Sequence, residues 1–198
     1  TLWSWTTAIG CLLGLLGTLL ATAAQADTRL DESTAAVALY GQVDYLLDPH
    51  DEWALDDVLS ADAPWRPSSE RRDLGFGYVS GPIWLRMSVT SDAEKTLIWR
   101  LALDYASLDD VRLYDVGPDG VHESRAGDTL PYTQRSISHR TPTFEITLAP
   151  GEQRTLYLRV SSEGSMTLSG TLMARADFER YSQLNYIAHA VYCGVLLA

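Results

Sequence analysis

Cysteine is nearly absent from this 198-residue chain, which has two, Cys11 and Cys193, and none between residues 27 and 192. That excludes a disulfide framework, a cysteine nucleophile and a cysteine-rich zinc site in the polar body, which must be held together by its core alone. Histidine is also sparse. His50, His122, His139 and His189 are scattered with no pair at ligand spacing, and His122-Glu123 lacks the second histidine of a zinc-peptidase helix. No G-x-S-x-G occurs, so a nucleophile elbow is unsupported. Long Lys/Arg runs are missing too. All 26 acidic and 15 basic residues lie after position 26, so the net charge of −11 belongs to residues 27–198. A body that acidic repels phosphate backbones, which argues against nucleic acid as a partner.

Residues 1–26 carry no charge, hold a leucine-rich centre (Leu12, Leu13, Leu15, Leu16, Leu19, Leu20) and end in Ala24-Gln25-Ala26 before Asp27. This reads as a secretory signal peptide whose charged n-region is missing, with an uncleaved signal anchor as the alternative. At the other end, residues 187–198 (IAHAVYCGVLLA) carry no formal charge. A bilayer span needs about 20 apolar residues, so this segment is expected to be the truncated start of a transmembrane helix. Tyr181, Tyr186 and Tyr192 lie where aromatic rings favour the membrane interface. Residues 177–186 are then a helical juxtamembrane lead.

Between these ends most of the chain reads at period two. Ile83, Leu85, Met87 and Val89 share one strand face, while Trp84, Arg86, Ser88 and Thr90 share the other. The same alternation runs through 96–104, 111–113, 144–148 and 156–160, with turns at Gly117-Pro118-Asp119-Gly120 and Pro150-Gly151. Weaker strands are expected at 36–40, 42–47, 74–78, 122–124 and 166–174. The one helix predicted in the body is 51–60, with Asp51 as its N-cap. About nine or ten short strands indicate a mainly β fold over residues 27–176, a two-sheet antiparallel β-sandwich of jelly-roll type.

The glycines of 75–81 (GFGYVSG) mimic a phosphate loop, but a strand follows them where a helix N-terminus is needed, so a β-turn is expected. Asp56-Asp57 and Asp109-Asp110 do not face each other as neighbours on a helix or strand must for acid/base work, and read as solvated surface. No catalytic residue, metal site or cofactor is therefore expected. Trp84 and Arg86 share a face and either contact a flat ligand such as a sugar ring, or belong to a second core face with Arg86 neutralising a carboxylate. The loop 135–140 gathers Arg135, His139 and Arg140, which either bind an anionic group or pair with acidic strand ends.

The run 74–86 (LGFGYVSGPIWLR) is followed in order by Leu103-Asp104-Tyr105, Leu108-Asp109-Asp110-Val111, Ala126-Gly127-Asp128 and Pro131. Ser138-His139-Arg140, Phe144 and Leu156-Tyr157-Leu158-Arg159-Val160 complete the set. Over about residues 36–176 it resembles the extracellular domain, second class, of bacterial seven-transmembrane receptors with diverse intracellular signalling modules. The resemblance implies a jelly roll similar to carbohydrate-binding modules. It also implies a periplasmic position at the bacterial inner membrane and a cytoplasmic kinase or diguanylate cyclase output. Candidate ligand contacts on the matched motifs are Trp84, Arg86, Asp104, Tyr105, Arg135, His139, Arg140 and Arg159. The expected function is a non-catalytic sensor of a small extracellular ligand such as a carbohydrate, joined to the membrane by the C-terminal helix. The alternative is a ligand-free module for homodimerisation or for contact with a partner receptor.

Overall fold

The computed structural model describes residues 27–197, so the expected signal peptide (residues 1–26) and Ala198 lie outside the described residues. Alternating apolar residues build the strands β1 (Asp27–Leu30), β2 (Ala36–Ala38), β3 (Asp44–Leu47), β4 (Arg66–Pro67), β5 (Gly75–Gly77), β6 (Ile83–Ser91) and β7 (Leu97–Leu103). They continue as β8 (Asp110–Gly117), β9 (Gly120–Ala126), β10 (Thr143–Leu148), β11 (Gln153–Ser161), β12 (Met166–Thr167) and β13 (Gly170–Ala174). A seven-stranded sheet has the order β4-β3-β6-β11-β8-β9, and a four-stranded sheet the order β10-β7-β13-β2. β11 occupies one edge of β6 from Ile83 to Thr90. β3 and β1 therefore follow one another along its other edge, β3 antiparallel and β1 parallel.

The two large sheets face each other across one core. Leu85, Met87, Leu156, Leu158, Val111 and Leu113 of the larger sheet meet Trp99, Leu101, Phe144, Ile146 and Leu172 of the smaller, all nearly or fully buried. Each such aliphatic or aromatic side chain contributes about 1.5–3 kcal/mol by leaving water. This is the expected mainly β, two-layer sandwich. The outer face of the larger sheet is also covered: Leu46, Val58, Ala63, Trp84 and Tyr157 form a second cluster, with Trp53 and Trp65 packed on it.

The structure corrects several expectations. The helix of the body is only α1 (Leu55–Leu59), and its N-cap is Ala54. Asp51 instead adopts φ +54°. The Asp48 carboxylate accepts the N–H groups of Glu52 and Trp53 at 2.9 and 3.1 Å, which holds that stretch in a non-helical turn. The Asp57 carboxylate then accepts the Ala54 N–H at 2.8 Å. The single strand expected at 166–174 is two, β12 and β13, which belong to different sheets. β1 is an unexpected strand, and its pairing with β6 is parallel in an otherwise antiparallel fold.

At the C-terminus the residues expected as helical lead and span form one continuous helix, α2 (Arg175–Leu197), which leaves β13 directly and packs on β7 and β13. Its first half carries Arg175, Asp177, Glu179 and Arg180 beside the apolar Phe178 and Leu184, and its second half carries no Asp, Glu, Lys or Arg. Among the described residues, no helix is long and apolar enough to cross a membrane.

Candidate functional site

β7 runs into Asp104 and Tyr105, and the loop 135–142 leads into β10. The Leu103 N–H donates to the Pro142 carbonyl at 2.9 Å, which holds the strand end and the loop side by side. Across from them, Phe178, Ser182 and Tyr186 recur every fourth residue on α2, so they share one helix face. Between loop and helix lies a cavity of about 250 Å³. Asp104, His139 and Arg140 line it from the sandwich, and Tyr181, Asn185 and His189 are among the residues lining it from α2.

His139 joins the two walls. Its Nδ1 accepts the Thr141 N–H at 3.3 Å and lies 3.2 Å from the Thr141 hydroxyl, while Nε2 lies 3.2 Å from the Ser182 hydroxyl. Because Nδ1 accepts an amide proton, the neutral ring carries its hydrogen on Nε2 and donates it to Ser182. The ring packs edge-on against Phe178 and Tyr186, with centroids 5.1 and 6.0 Å away. Burial, with the Arg140 charge beside it, holds the His139 pKa below the ordinary histidine value. Burial also raises the Asp104 pKa, because part of that carboxylate's hydration is lost.

The eight sequence candidates divide. Asp104, His139 and Arg140 come together in the cavity wall. Arg135 stands behind them: its Nε donates to the Leu130 carbonyl at 3.3 Å and its Nη1 to the His139 carbonyl at 3.5 Å, which shapes the loop. Tyr105 adjoins Asp104 outside the cavity lining and is partly exposed. The other three lie on the outer face of the large sheet. Trp84 is 1% exposed and stacks on Tyr114 at 5.9 Å, so neither ring face is open to a sugar. Arg86 pairs with Asp44 at 3.0 Å and lies 4.7 Å over the Trp65 ring. Arg159 pairs with Asp51 and, at 3.7 Å, with Asp110. For Trp84 and Arg86 the second-core alternative describes what the chain does.

The helical wall was missed by the sequence reading, which treated 177–186 as a membrane lead. The signal was present in the four-residue spacing of Phe178, Ser182 and Tyr186, which marks a face turned toward protein. In a second depression, near Asp109, Asp110 and Glu163, the two aspartates are engaged. Asp109 accepts the Glu163 N–H at 2.6 Å, and Asp110 pairs with Arg112 and Arg125 at 2.8 and 3.0 Å. Among the described residues no cluster of His, Cys, Asp or Glu could hold a metal ion.

The last strand of the sandwich passes straight into a helix, with a small cavity of mixed polar and apolar lining at that junction. The family model for the 7TMR-DISM extracellular 2 domain matches residues 40–174, and the chain belongs to that family of receptor extracellular sensor domains. No curated protein matches the chain. Among solved structures, a β-glucuronidase of Ruminococcus gnavus is similar at TM-score 0.34 and 10% identity, over 75% of this chain and 30% of the enzyme's.

Proposed function

We propose that this domain senses a small extracellular ligand in the cavity between the 135–142 loop and α2, and passes the binding event to the membrane through α2. The observation that carries the reading is that one cavity is walled by both the sandwich and the helix, with His139 bonded across it to Ser182. A ligand there touches both parts, so it binds one placement of α2 more tightly than another, and only such differential affinity can shift a switch. About 1.4 kcal/mol of difference corresponds to a tenfold shift.

In this reading the domain is a jelly roll similar to carbohydrate-binding modules, and it sits in the periplasm of a bacterium. Residues 1–26 direct its export, and 187–198 begin the first transmembrane helix. A cytoplasmic kinase or diguanylate cyclase then reads the signal. A carbohydrate is one candidate ligand, with Asp104, His139 and Arg140 as its polar contacts. Calorimetric titration of the chain with envelope sugars and small metabolites, repeated on Tyr186→Ala, tests the reading. Binding that Tyr186→Ala abolishes supports it, and binding indifferent to that change removes the cavity from consideration.

One observation favours a second reading, a ligand-free dimerisation module. Leu184, Ile187, Val191 and Val195 of α2 are 59–71% exposed, an apolar face that none of the described residues covers. Analytical ultracentrifugation decides, because a strictly monomeric chain eliminates this alternative.

A further inference from the structure

The cavity at the sandwich–helix junction holds two opposite charges that do not pair. Asp104 and Arg140 stand on neighbouring chain ends held together by the Leu103–Pro142 hydrogen bond, and both line the cavity. Elsewhere several strand arginines pair closely: Arg86 with Asp44 at 3.0 Å, Arg112 with Asp110 at 2.8 Å, Arg154 with Glu152 at 2.7 Å. Among the described residues, Asp104 and Arg140 make no ion pair with each other or with any other group. Both side chains are exposed at the mouth of the cavity, and partial burial raises the Asp104 pKa. The helix adds no full charge to this wall; it offers the phenol rings of Tyr181 and Tyr186, the Asn185 amide and the Ser182 hydroxyl.

We propose that the cavity binds a small zwitterion of amino-acid or betaine type, its ammonium at Asp104 and its carboxylate at Arg140. The proposal rests on the cavity being the ligand site. Three physical features support it. A guanidinium forks onto a carboxylate, and a carboxylate with no ion-pair partner is the natural seat for an ammonium. The rings of Tyr181 and Tyr186 line the same cavity, and tyrosine π faces attract cations, as aromatic cages do for quaternary ammonium groups.

Size is the third feature. At about 250 Å³ the cavity falls below the ~300–1,000 Å³ of sites for drug-sized molecules, so it admits something of amino-acid dimensions and not an oligosaccharide. A neutral sugar in the same place would leave both charges without an ionic partner. The domain's net charge of −11 also draws the ammonium end toward the groove and does not oppose a ligand that is neutral overall.

The test is calorimetric titration of the full chain in detergent micelles at pH 7.5. The probes are glycine betaine and L-leucine as zwitterions, tetramethylammonium and acetate as single-charge controls, and glucose as a neutral sugar. At least one zwitterion is expected to bind, with both single-charge controls at least tenfold weaker. Asp104→Asn and Arg140→Gln, both surface changes checked for unchanged melting, are each expected to weaken it by about 10- to 100-fold.

The proposal is overturned if no zwitterion binds, if the single-charge controls bind as well, or if the two variants bind like the parent. Glucose binding that Tyr186→Ala removes would overturn the zwitterion and leave the cavity standing as a sensor site. Zwitterion binding indifferent to Tyr186→Ala and to both charge variants would remove the cavity itself.

Discussion

The His139 Nε2 and the Ser182 hydroxyl meet at 3.2 Å, forty-three residues apart in sequence, and this contact ties the loop before β10 to the helix that leaves the sandwich. It depends on a neutral imidazole. Protonation would put a hydrogen on Nδ1, where the Thr141 N–H already points, and a positive charge beside Arg140 in a half-buried site. Among the described residues, Asp104 is the one carboxylate lining the cavity. The other titratable groups facing it from α2 are Tyr181, Tyr186 and His189.

The contact is therefore expected to be pH-dependent, with a definite sign. The docked state holds the His139 pKa below its ordinary value, so the undocked state binds more protons in the window between the two values. Docking is fully present above the ordinary histidine value of about 6.5 and weakens by up to tenfold per pH unit as the pH falls below it. An NMR titration of the His139 ring, followed together with the Thr141 amide, checks this. A ring that titrates at or above 6.5 with an unmoved amide would sink the idea. Ser182→Ala removes one hydrogen bond and should loosen the contact by about 0.5–1.5 kcal/mol at neutral pH.

Trp84 supplies the opposite kind of prediction. Its ring is buried between Tyr114 and the 48–65 segment, so Trp84→Ala should destabilise the domain by about 3–5 kcal/mol. Urea unfolding measures that loss. At temperatures where the variant stays folded, its affinity for a cavity ligand should match the parent's. Retained stability with lost binding would return Trp84 to the list of ligand contacts.

The contrast between these two residues shows what the sequence could and could not reveal. Period-two alternation located β6 through all nine residues, 83–91, and assigned Trp84 and Arg86 to one face. It could not tell whether that face met solvent, because the covering segment 48–65 is mostly irregular, with only the five-residue α1 inside it. Asp104, His139 and Arg140 were legible as polar residues at strand ends. Their partners on α2 were not, since a helix that packs on a sheet with one narrow face and exposes the rest resembles an interfacial helix in composition. β1 escaped because a four-residue strand pairing in parallel, with no hairpin turn to announce it, leaves no local signal.

The glycines in the motifs that carry the family likeness have a structural explanation, which is testable. Gly81 sits at φ +72° and Gly127 at φ +125°, and a Cβ at either would collide with a backbone carbonyl, Asp48 for the first and Asp109 for the second. The Asp128 N–H donates to the Leu108 carbonyl at 2.8 Å, so Gly127 closes a backbone contact between the strand ends of β8 and β9. Gly127→Ala combines an unfavourable φ with that collision and should cost more than the roughly 1 kcal/mol of the conformational penalty alone. Thermal melting reports the loss. A melting temperature equal to the parent's would mean that the loop yields easily and that the close approach is not needed.

Arg154 is the cation at the centre of three carboxylates, 3.3 Å from Asp115, 3.0 Å from Asp119 and 2.7 Å from Glu152. Asp115 is nearly buried, one of its oxygens has no partner, and desolvation raises its pKa even though Arg154 pulls the other way. A carboxyl whose folded pKa is raised contributes stability at acidic pH and loses it as the pH climbs through the folded value. Removing Arg154 takes away the opposing pull, so the Asp115 pKa rises further and the loss extends to higher pH. Arg154→Met, which keeps much of the packing, should therefore cost about 2–4 kcal/mol at pH 7, where the carboxylates repel one another unopposed. At pH 4.5 the cost should be clearly smaller, because Asp115 takes up a proton. Urea unfolding at the two pH values measures the difference, and equal losses at both would show that Arg154 acts through its packing and not through its charge.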